Sequence, residues 1–117
     1  MPLRCLIVDD NPVFLASARR LLESEGLLIV GAVSSAEAGL RLAAEARPDV
    51  ALVDVELGED SGVELSRRLI SAARPVPVIL ISTYPEEDLT ELIASSPAAG
   101  FIAKSQLSAE TVRAMLG

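Results

Sequence analysis

Five short apolar runs alternate along the chain with five segments whose apolar residues recur at helical spacing. The runs are LRCLIV (3–8), LLIVGAV (27–33), VALV (50–53), VPVILI (76–81) and FIA (101–103). Short runs that are apolar at consecutive positions are typical of strands buried on both faces, which occur in parallel sheets covered by helices on each side. The pattern therefore predicts one α/β domain, residues 1–117, built as a doubly wound parallel sheet of the (βα)5 type.

A helix is predicted after each of these strands. The apolar residues that mark them are Phe14, Ala18 and Leu21, then Ala36, Leu40 and Ala43, then Leu65, Leu69 and Ala72, then Leu89, Leu92 and Ile93, and finally Val112 and Leu116. Asn11-Pro12 is a start signal for the first helix, and Gly26 a stop signal. The fourth helix is expected at about 86–95 and the fifth at about 107–116.

Charge and composition exclude several classes of protein. The formal net charge is -7, so binding to DNA or to an anionic membrane is not expected. The chain has no His, which removes the commonest zinc ligand and the usual general base at neutral pH. No run approaches the ~20 apolar residues of a membrane span, and none resembles a signal peptide, so a cytoplasmic protein is expected. The single Cys5 is expected to be a small buried hydrophobe.

Polar side chains follow four of the five predicted strands, at the point where each strand ends. They are Asp9 and Asp10, Asp54 and Glu56, Ser82 and Thr83, and Lys104. Right-handed crossovers bring the carboxyl ends of parallel strands to one edge of the sheet, where ligands of such folds bind. We therefore expect these side chains to form one site.

Taken singly, each of these residues has a simpler structural explanation. Asp54 could end a strand before a turn, Ser82 could be a loop hydroxyl, and Lys104 could be a solvated surface lysine. Asn11 alone suffices to cap the first helix, which leaves the carboxylates before it without a structural role. Their convergence on one edge is what favours a functional site.

Three carboxylates in one pocket need a counterion, because like charges repel one another and lose hydration. Mg²⁺ suits a few carboxylates with several retained waters, and Mn²⁺ takes similar oxygen ligands. The ammonium of Lys104 would bring the pocket close to neutrality, so that it could hold a phosphoryl oxygen. A carboxylate beside such a metal can attack phosphorus and form an acyl phosphate.

The ordered set of motifs resembles the receiver domain of two-component response regulators over essentially the whole chain. The motifs are VDD (8–10), LVD (52–54), Gly62, ILIST (79–83) and GFIAK (100–104). The resemblance implies a flavodoxin-like fold with strand order 2-1-3-4-5, an order that general descriptions of the fold illustrate with a member of this family. It also implies that Asp54 accepts a phosphoryl group from the phosphohistidine of a sensor histidine kinase.

The resemblance implies a set of metal ligands around this acceptor. Asp10 and Asp54 would bind Mg²⁺ directly, Asp9 would hold a metal-bound water, and Glu56 would contribute its backbone carbonyl. Lys104 would contact the phosphoryl group.

The same resemblance implies switch and lifetime residues. The Ser82 hydroxyl would turn inward to a phosphoryl oxygen and Phe101 would follow it, although a plain core aromatic also explains Phe101. Glu56 and Tyr84 occupy the positions that tune how long the phosphoryl group survives. The face formed by the fourth helix, fifth strand and fifth helix would then bind a downstream protein or a second copy of the chain.

The chain departs from the family pattern at two places. Leu57-Gly58 stands where the family often has Met-Pro, which predicts a looser loop. Ser105 follows Lys104 where the family often has a cis-linked proline, which leaves the geometry of that peptide bond open. The closing segment, residues 100–117, resembles receivers usually joined to helix-turn-helix output domains, and a stand-alone receiver is favoured over a truncated regulator.

Three other functions are weighed against this one. A phosphate-independent protein-interaction module on the same fold is the main alternative. A phosphatase with an aspartyl nucleophile fits DVE (54–56) only weakly, because that class usually carries its nucleophile on the first strand, so the chain is not expected to be an enzyme acting on other molecules. A flavin carrier needs a neutral phosphate-binding loop where this chain has Asp9 and Asp10.

Overall fold

The computed structural model describes residues 2–117 and contains a five-stranded parallel sheet. Its strands are β1 (Arg4–Val8), β2 (Leu28–Val33), β3 (Val50–Asp54), β4 (Val78–Ser82) and β5 (Gly100–Ala103). Their spatial order is β2-β1-β3-β4-β5. The predicted flavodoxin-like (βα)5 fold with order 2-1-3-4-5 is confirmed.

Five α-helices connect and follow the strands. They are α1 (Pro12–Ser24), α2 (Ala36–Ala46), α3 (Gly62–Ile70), α4 (Thr90–Ala94) and α5 (Ala109–Leu116). The predicted helix at about 86–95 is in fact a 3₁₀ turn, Glu86–Leu89, followed by the short α4. The last helix starts two residues later than predicted, because the Ser108 side chain caps it in a reciprocal bond with Thr111.

The core forms two layers, one on each face of the sheet. Alternate residues of β1, such as Cys5 and Ile7, pack towards α1 and α5, while Leu6 and Val8 pack towards α2 and α3. Every residue of β3 and β4 is buried. Burial on both faces is the physical reason why these strands are apolar at consecutive positions.

The helices bury partly different residues from those that marked them in the sequence. In α1 the buried positions are Leu15, Ala18 and Leu22, while Leu21 is 42% exposed and Phe14 is half-buried. Both sets have helical spacing, so spacing alone cannot choose between two adjacent faces. Ala72 is exposed and lies beyond α3, which ends at Ile70.

Each end of the helix α1 is held by identifiable contacts. Asn11 caps the helix as predicted, accepting hydrogen bonds from the amides of Val13 and Phe14. Gly26 follows the helix with a φ of +96°, a conformation that glycine adopts without strain. Next to it, Glu25 Oε1 accepts a hydrogen bond of 2.8 Å from the Ala109 amide, which fastens the start of α5 to the end of α1.

Two expectations from composition can be compared with the structure. Cys5 is buried within β1, as expected, and burial raises the pKa of its thiol to about 12. Among residues 2–117, no helix has the length and apolar character that crossing a bilayer requires.

Candidate functional site

The predicted site residues meet at the carboxyl edge of the sheet. An open cavity of about 510 Å³ lies there, between the ends of β1, β3, β4 and β5. Of the predicted residues, those lining it are Asp10, Asp54, Glu56, Ser82, Thr83, Tyr84 and Lys104. The chain topology thus brings together side chains that lie up to 94 positions apart in the sequence.

Three carboxylates lie close together at this edge of the sheet, and two of them, Asp10 and Asp54, line the cavity. Asp9 is fully buried, Asp10 is exposed, and Asp54 is only 7% exposed. One carboxylate oxygen from each lies within 4.8 Å of the other two. At such distances the three charges repel one another strongly, so the cluster favours a bound cation.

Lys104 supplies part of the compensating charge. It is the only lysine in the chain, and its Nζ lies 2.5 Å from Asp9 Oδ2 and 2.9 Å from Asp54 Oδ2. Burial alone would lower the pKa of Lys104, but hydrogen bonds and attraction from these carboxylates outweigh burial and raise it. Burial raises the pKa of Asp9, and Lys104 opposes that rise.

Asp9 keeps spare capacity to bind a cation. Its Oδ1 accepts a hydrogen bond of 2.9 Å from the Asn11 amide. Its buried Oδ2 has the ion pair with Lys104 but receives no well-aligned hydrogen bond from any residue that the structure describes. A buried, under-satisfied carboxylate oxygen beside two further carboxylates is a donor set suited to a hard divalent cation, so the residues present fit Mg²⁺ or Mn²⁺.

Asp54 is held in a fixed orientation. Its Oδ1 accepts a hydrogen bond of 2.9 Å from the Glu56 amide, and its Oδ2 accepts one of 2.9 Å from Lys104. Beneath it, the Gly62 amide donates to the Val55 carbonyl oxygen at 3.0 Å, at the first turn of α3.

Gly62 is required there by close contact. A Cβ at this position would lie 1.9 Å from the backbone carbonyl oxygen of Asp54. The spacing between Asp54 and Gly62 in the sequence therefore has a steric cause: only glycine lets α3 start against the end of β3.

Ser82 and Tyr84 line the cavity at the end of β4, whereas Phe101 does not line it. Ser82 is buried, and its Oγ accepts a hydrogen bond of 3.0 Å from the Tyr84 amide. The Tyr84 side chain is 52% exposed. Phe101 is buried in the core layer that faces α2 and α3, which agrees with the simpler explanation of that residue.

The two departures from the family pattern have defined structures. Glu56–Leu57 pairs with Asp60–Ser61 in a small antiparallel hairpin, which was not predicted, and Gly58 in its turn has a φ of +65°. Every peptide bond within the described residues is trans, so the open question about Lys104-Ser105 is answered. Lys104–Gln106 forms a 3₁₀ turn.

One residue of the site was missed from the sequence. Phe14 was predicted only as a core residue of the first helix, yet its ring centroid lies 4.2 Å from Lys104 Nζ. No motif contains Phe14. The available signal was its place in the first turn of α1, directly after the Asp9-Asp10 pair.

Comparison with known proteins gives one consistent family. The sequence profile described as response regulator receiver domain matches residues 5–116. Response regulator GacA of Pseudomonas viridiflava is 32% identical over 114 residues, which cover 97% of this chain and 53% of GacA. The chain thus spans about half the length of the curated relatives it matches.

Solved structures agree with the sequence comparison. The signal receiver domain of NarL from Mycobacterium tuberculosis superposes with a TM-score of 0.83 at 31% identity, covering 98% of this chain and 94% of that one. A response regulator from Burkholderia pseudomallei, solved with a phosphorylated aspartic acid, a calcium ion and citrate, gives 0.79 at 28% identity, covering 98% and 66%. With the family match extending over nearly every residue, this chain belongs to the response regulator receiver domain family.

Proposed function

We propose that this chain is the phosphoryl-accepting receiver of a two-component signalling system, with Asp54 as the acceptor. The observation that carries the proposal is the convergence of three carboxylates and the only lysine on one edge of the sheet. Asp54 stands at the mouth of an open cavity with both of its oxygens oriented by hydrogen bonds. The donor is the phosphohistidine of a sensor histidine kinase.

A divalent cation, Mg²⁺ or Mn²⁺, belongs to this proposal. Asp10, Asp54 and the backbone carbonyl of Glu56 would hold it directly, and Asp9 would hold it through a water. When bound, the ion supplies positive charge to the oxygens of the incoming phosphoryl group. The clustering of three carboxylates within 4.8 Å supports this assignment.

The chain's own residues account for the transfer. A carboxylate oxygen of Asp54 forms a bond to phosphorus while the bond from phosphorus to the donor imidazole nitrogen breaks, and the imidazole leaves. Lys104 turns from its carboxylate partners to a phosphoryl oxygen. Phosphoryl transfer to its own Asp54, and later loss of that group, is the only chemistry proposed, so the chain acts as a signalling protein and not as an enzyme on other molecules.

Ser82 and Phe101 are the proposed switch residues. Ser82 Oγ already accepts a hydrogen bond from the Tyr84 amide. The hydroxyl proton of Ser82 therefore remains available to a phosphoryl oxygen. Turning the hydroxyl inward would move the Tyr84 loop, and Phe101 would follow towards the vacated space. The face of α4, β5 and α5 would then bind a downstream protein or a second copy of the chain, as a population shift.

Glu56 and Tyr84 are proposed to set the lifetime of the phosphoryl group. The exposed Tyr84 ring lies at the cavity rim, where it would screen the acyl phosphate from attacking water. Tyr84→Ala should speed dephosphorylation, measured as loss of the phosphorylated mass with time. An unchanged rate would remove Tyr84 from this role.

The proposal has three further parts. Residues 1–117 form a single receiver unit, the protein is located in the cytoplasm, and this chain does not contact DNA directly. The acidic net charge supports the absence of DNA contact.

Intact mass after incubation with Mg²⁺ and acetyl phosphate tests the proposal. We expect a phosphate-sized gain in the wild type and in the control Asp88→Asn, which alters an exposed carboxylate outside the cavity. Asp54→Asn should show no gain in mass. A chelator should abolish the gain in mass of the wild type. If no variant gains mass from acetyl phosphate or from a histidine kinase, the phosphate-independent interaction module becomes the better interpretation.

The variant Lys104→Ala distinguishes phosphorylation of Asp54 from the conformational change that phosphorylation would cause. We expect this variant to gain phosphate but to lose the phosphate-dependent change at the α4-β5-α5 face, followed by backbone amide chemical shifts. A normal response in Lys104→Ala would contradict the switch mechanism.

A further inference from the structure

Among residues 2–117, the ammonium of Lys104 contacts two carboxylates and one aromatic ring. Lys104 Nζ donates a hydrogen bond of 2.9 Å to Asp54 Oδ2 and forms an ion pair of 2.5 Å with Asp9 Oδ2. The ammonium also lies over the Phe14 ring, 4.2 Å from its centroid, which is well within the range of a cation–π contact. The Lys104 side chain is only 10% exposed, and such contacts are stronger where water is excluded.

The ring is held in place by the start of α1. The Phe14 amide donates to the Asn11 side chain, and the Phe14 side chain packs against the core layer of α1 and α5. On this side of Lys104 lies a second cavity, of about 340 Å³, whose lining includes Phe14, Leu21 and Leu107. Phe14 and Lys104 line this second cavity together, whereas none of the three carboxylates lines it.

The two kinds of partner differ in how they respond to ligands. Under the proposed function, a divalent cation and the phosphoryl group both compete for the carboxylates that now hold Lys104. The Phe14 ring is uncharged and binds neither of them. It is the one partner of the ammonium that remains when the pocket is loaded.

We propose that Phe14 is a positioning residue that keeps Lys104 at the phosphoryl site when metal and phosphate engage its carboxylate partners. This inference rests on the proposed function and adds to it a residue that acts through the lysine. It predicts that loss of the ring weakens the response to a phosphoryl group by about the strength of one cation–π contact, roughly 5-fold in affinity.

The first measurement tests the contact itself and needs no phosphorylation. Because Lys104 is the only lysine, selective ¹⁵N and ¹³C labelling of lysine gives one side-chain spin system. Its ε-methylene and ammonium protons should be shifted upfield by the aromatic ring, with and without Mg²⁺. The shift should vanish in Phe14→Leu and persist in Phe14→Tyr.

The second measurement tests the consequence. Beryllofluoride with Mg²⁺ serves as a noncovalent phosphoryl mimic, and its binding is followed by the fluorescence of Tyr84, the only tyrosine in a chain without tryptophan. Phe14→Leu should bind roughly 5-fold more weakly, and Phe14→Tyr should bind like the wild type. Leu21→Ala, which removes apolar surface from the same cavity without approaching the ammonium, is the matched control and should leave the affinity unchanged.

A double-mutant cycle assigns the effect to the lysine. In a Lys104→Ala background, Phe14→Leu should no longer change the affinity, because the partner of the ring is gone. An equal loss in both backgrounds, or an unshifted lysine signal in the wild type, would overturn the role of Phe14. Failure of wild-type protein to bind beryllofluoride would instead count against the proposed function, while the lysine spectrum would still report on the contact.

Discussion

Two parts of the site edge differ sharply in how they are held. The β1–β3 side has strands with no exposed residue at their ends, a buried Asp9, and α3 packed so closely that a Cβ on Gly62 would meet backbone. The segment 83–95, across the cavity, contains a 3₁₀ turn and a five-residue helix, and neither has a buried residue. From this packing we expect the β1–β3 side to be the rigid side, and the segment 83–95 to move at little cost in free energy.

Hydrogen exchange should show this contrast most strongly. Amides of β3 have their partners inside the sheet and should exchange only on global unfolding, whereas amides of residues 86–94 should open locally. We expect the protection factors of the two segments to differ by at least about a thousandfold. Similar protection in both segments would break the comparison.

Two glycine substitutions compare the two sides of the site edge by their effect on the free energy of unfolding. Gly62→Ala places a methyl group against the Asp54 backbone and should lower the free energy of unfolding by about 3 kcal/mol. Gly100→Ala, on the β5 side, meets the flexible end of Met115 and should cost less than about 1 kcal/mol. Urea unfolding of the two variants provides the test, and a larger loss in Gly100→Ala would reverse the assignment of the rigid side.

The pH dependence of the free energy of unfolding tests the burial of Cys5, which lies in β1 on the rigid side. Its thiol stays protonated in the folded protein up to a pKa of about 12, but ionises near 9 when unfolded. The unfolded state therefore binds fewer protons above pH 9, and stability falls as the pH rises towards 12. Between pH 9 and 10 the loss from Cys5 should be on the order of 1 kcal/mol.

The control for that measurement is Cys5→Val, which keeps an apolar side chain in β1. The difference in pH dependence between wild type and Cys5→Val isolates the thiol from the other titrating groups. Parallel stability curves for the two proteins would mean that water reaches β1.

The smallest effect is expected in α4. Leu92 is 38% exposed in a helix without buried residues, so Leu92→Ala should change the free energy of unfolding by no more than about 0.5 kcal/mol. Leu69→Ala in α3, a fully enclosed leucine, is the matched reference and should cost about 2–5 kcal/mol. Comparable losses in both variants would show that α4 is packed as firmly as α3.

The sequence predicts the sheet well because burial on two faces leaves an unambiguous pattern. Once the strands are in order, topology alone brings Asp54 and Lys104 to the same edge. The carboxylate cluster, which resembles a metal-binding site, is predictable because Asp54 and the adjacent Asp9-Asp10 pair end strands at that same edge. These predictions depend on rules that act over whole strands.

Local packing is less predictable from the sequence. The face that α1 buries depends on how the helix is rotated against the sheet, and two sets of apolar residues satisfy the same period. The segment 86–95 has helical spacing, yet neither its 3₁₀ turn nor α4 has a buried residue. Most helical stability in proteins comes from packing, so only a short helix forms there. The contact between Phe14 and Lys104 joins residues 90 positions apart and depends on side-chain geometry that no spacing reveals.

The hydrogen bond from Ala109 to Glu25 gives α5 a fixed end. If α5 tilts about this held end, the displacement grows with distance along the helix. The eight residues of α5 span about 12 Å, so a tilt of about 10° displaces the far end by about 2 Å while the start stays in place. A movement of α5 would therefore be largest at Leu116, the last residue of the helix.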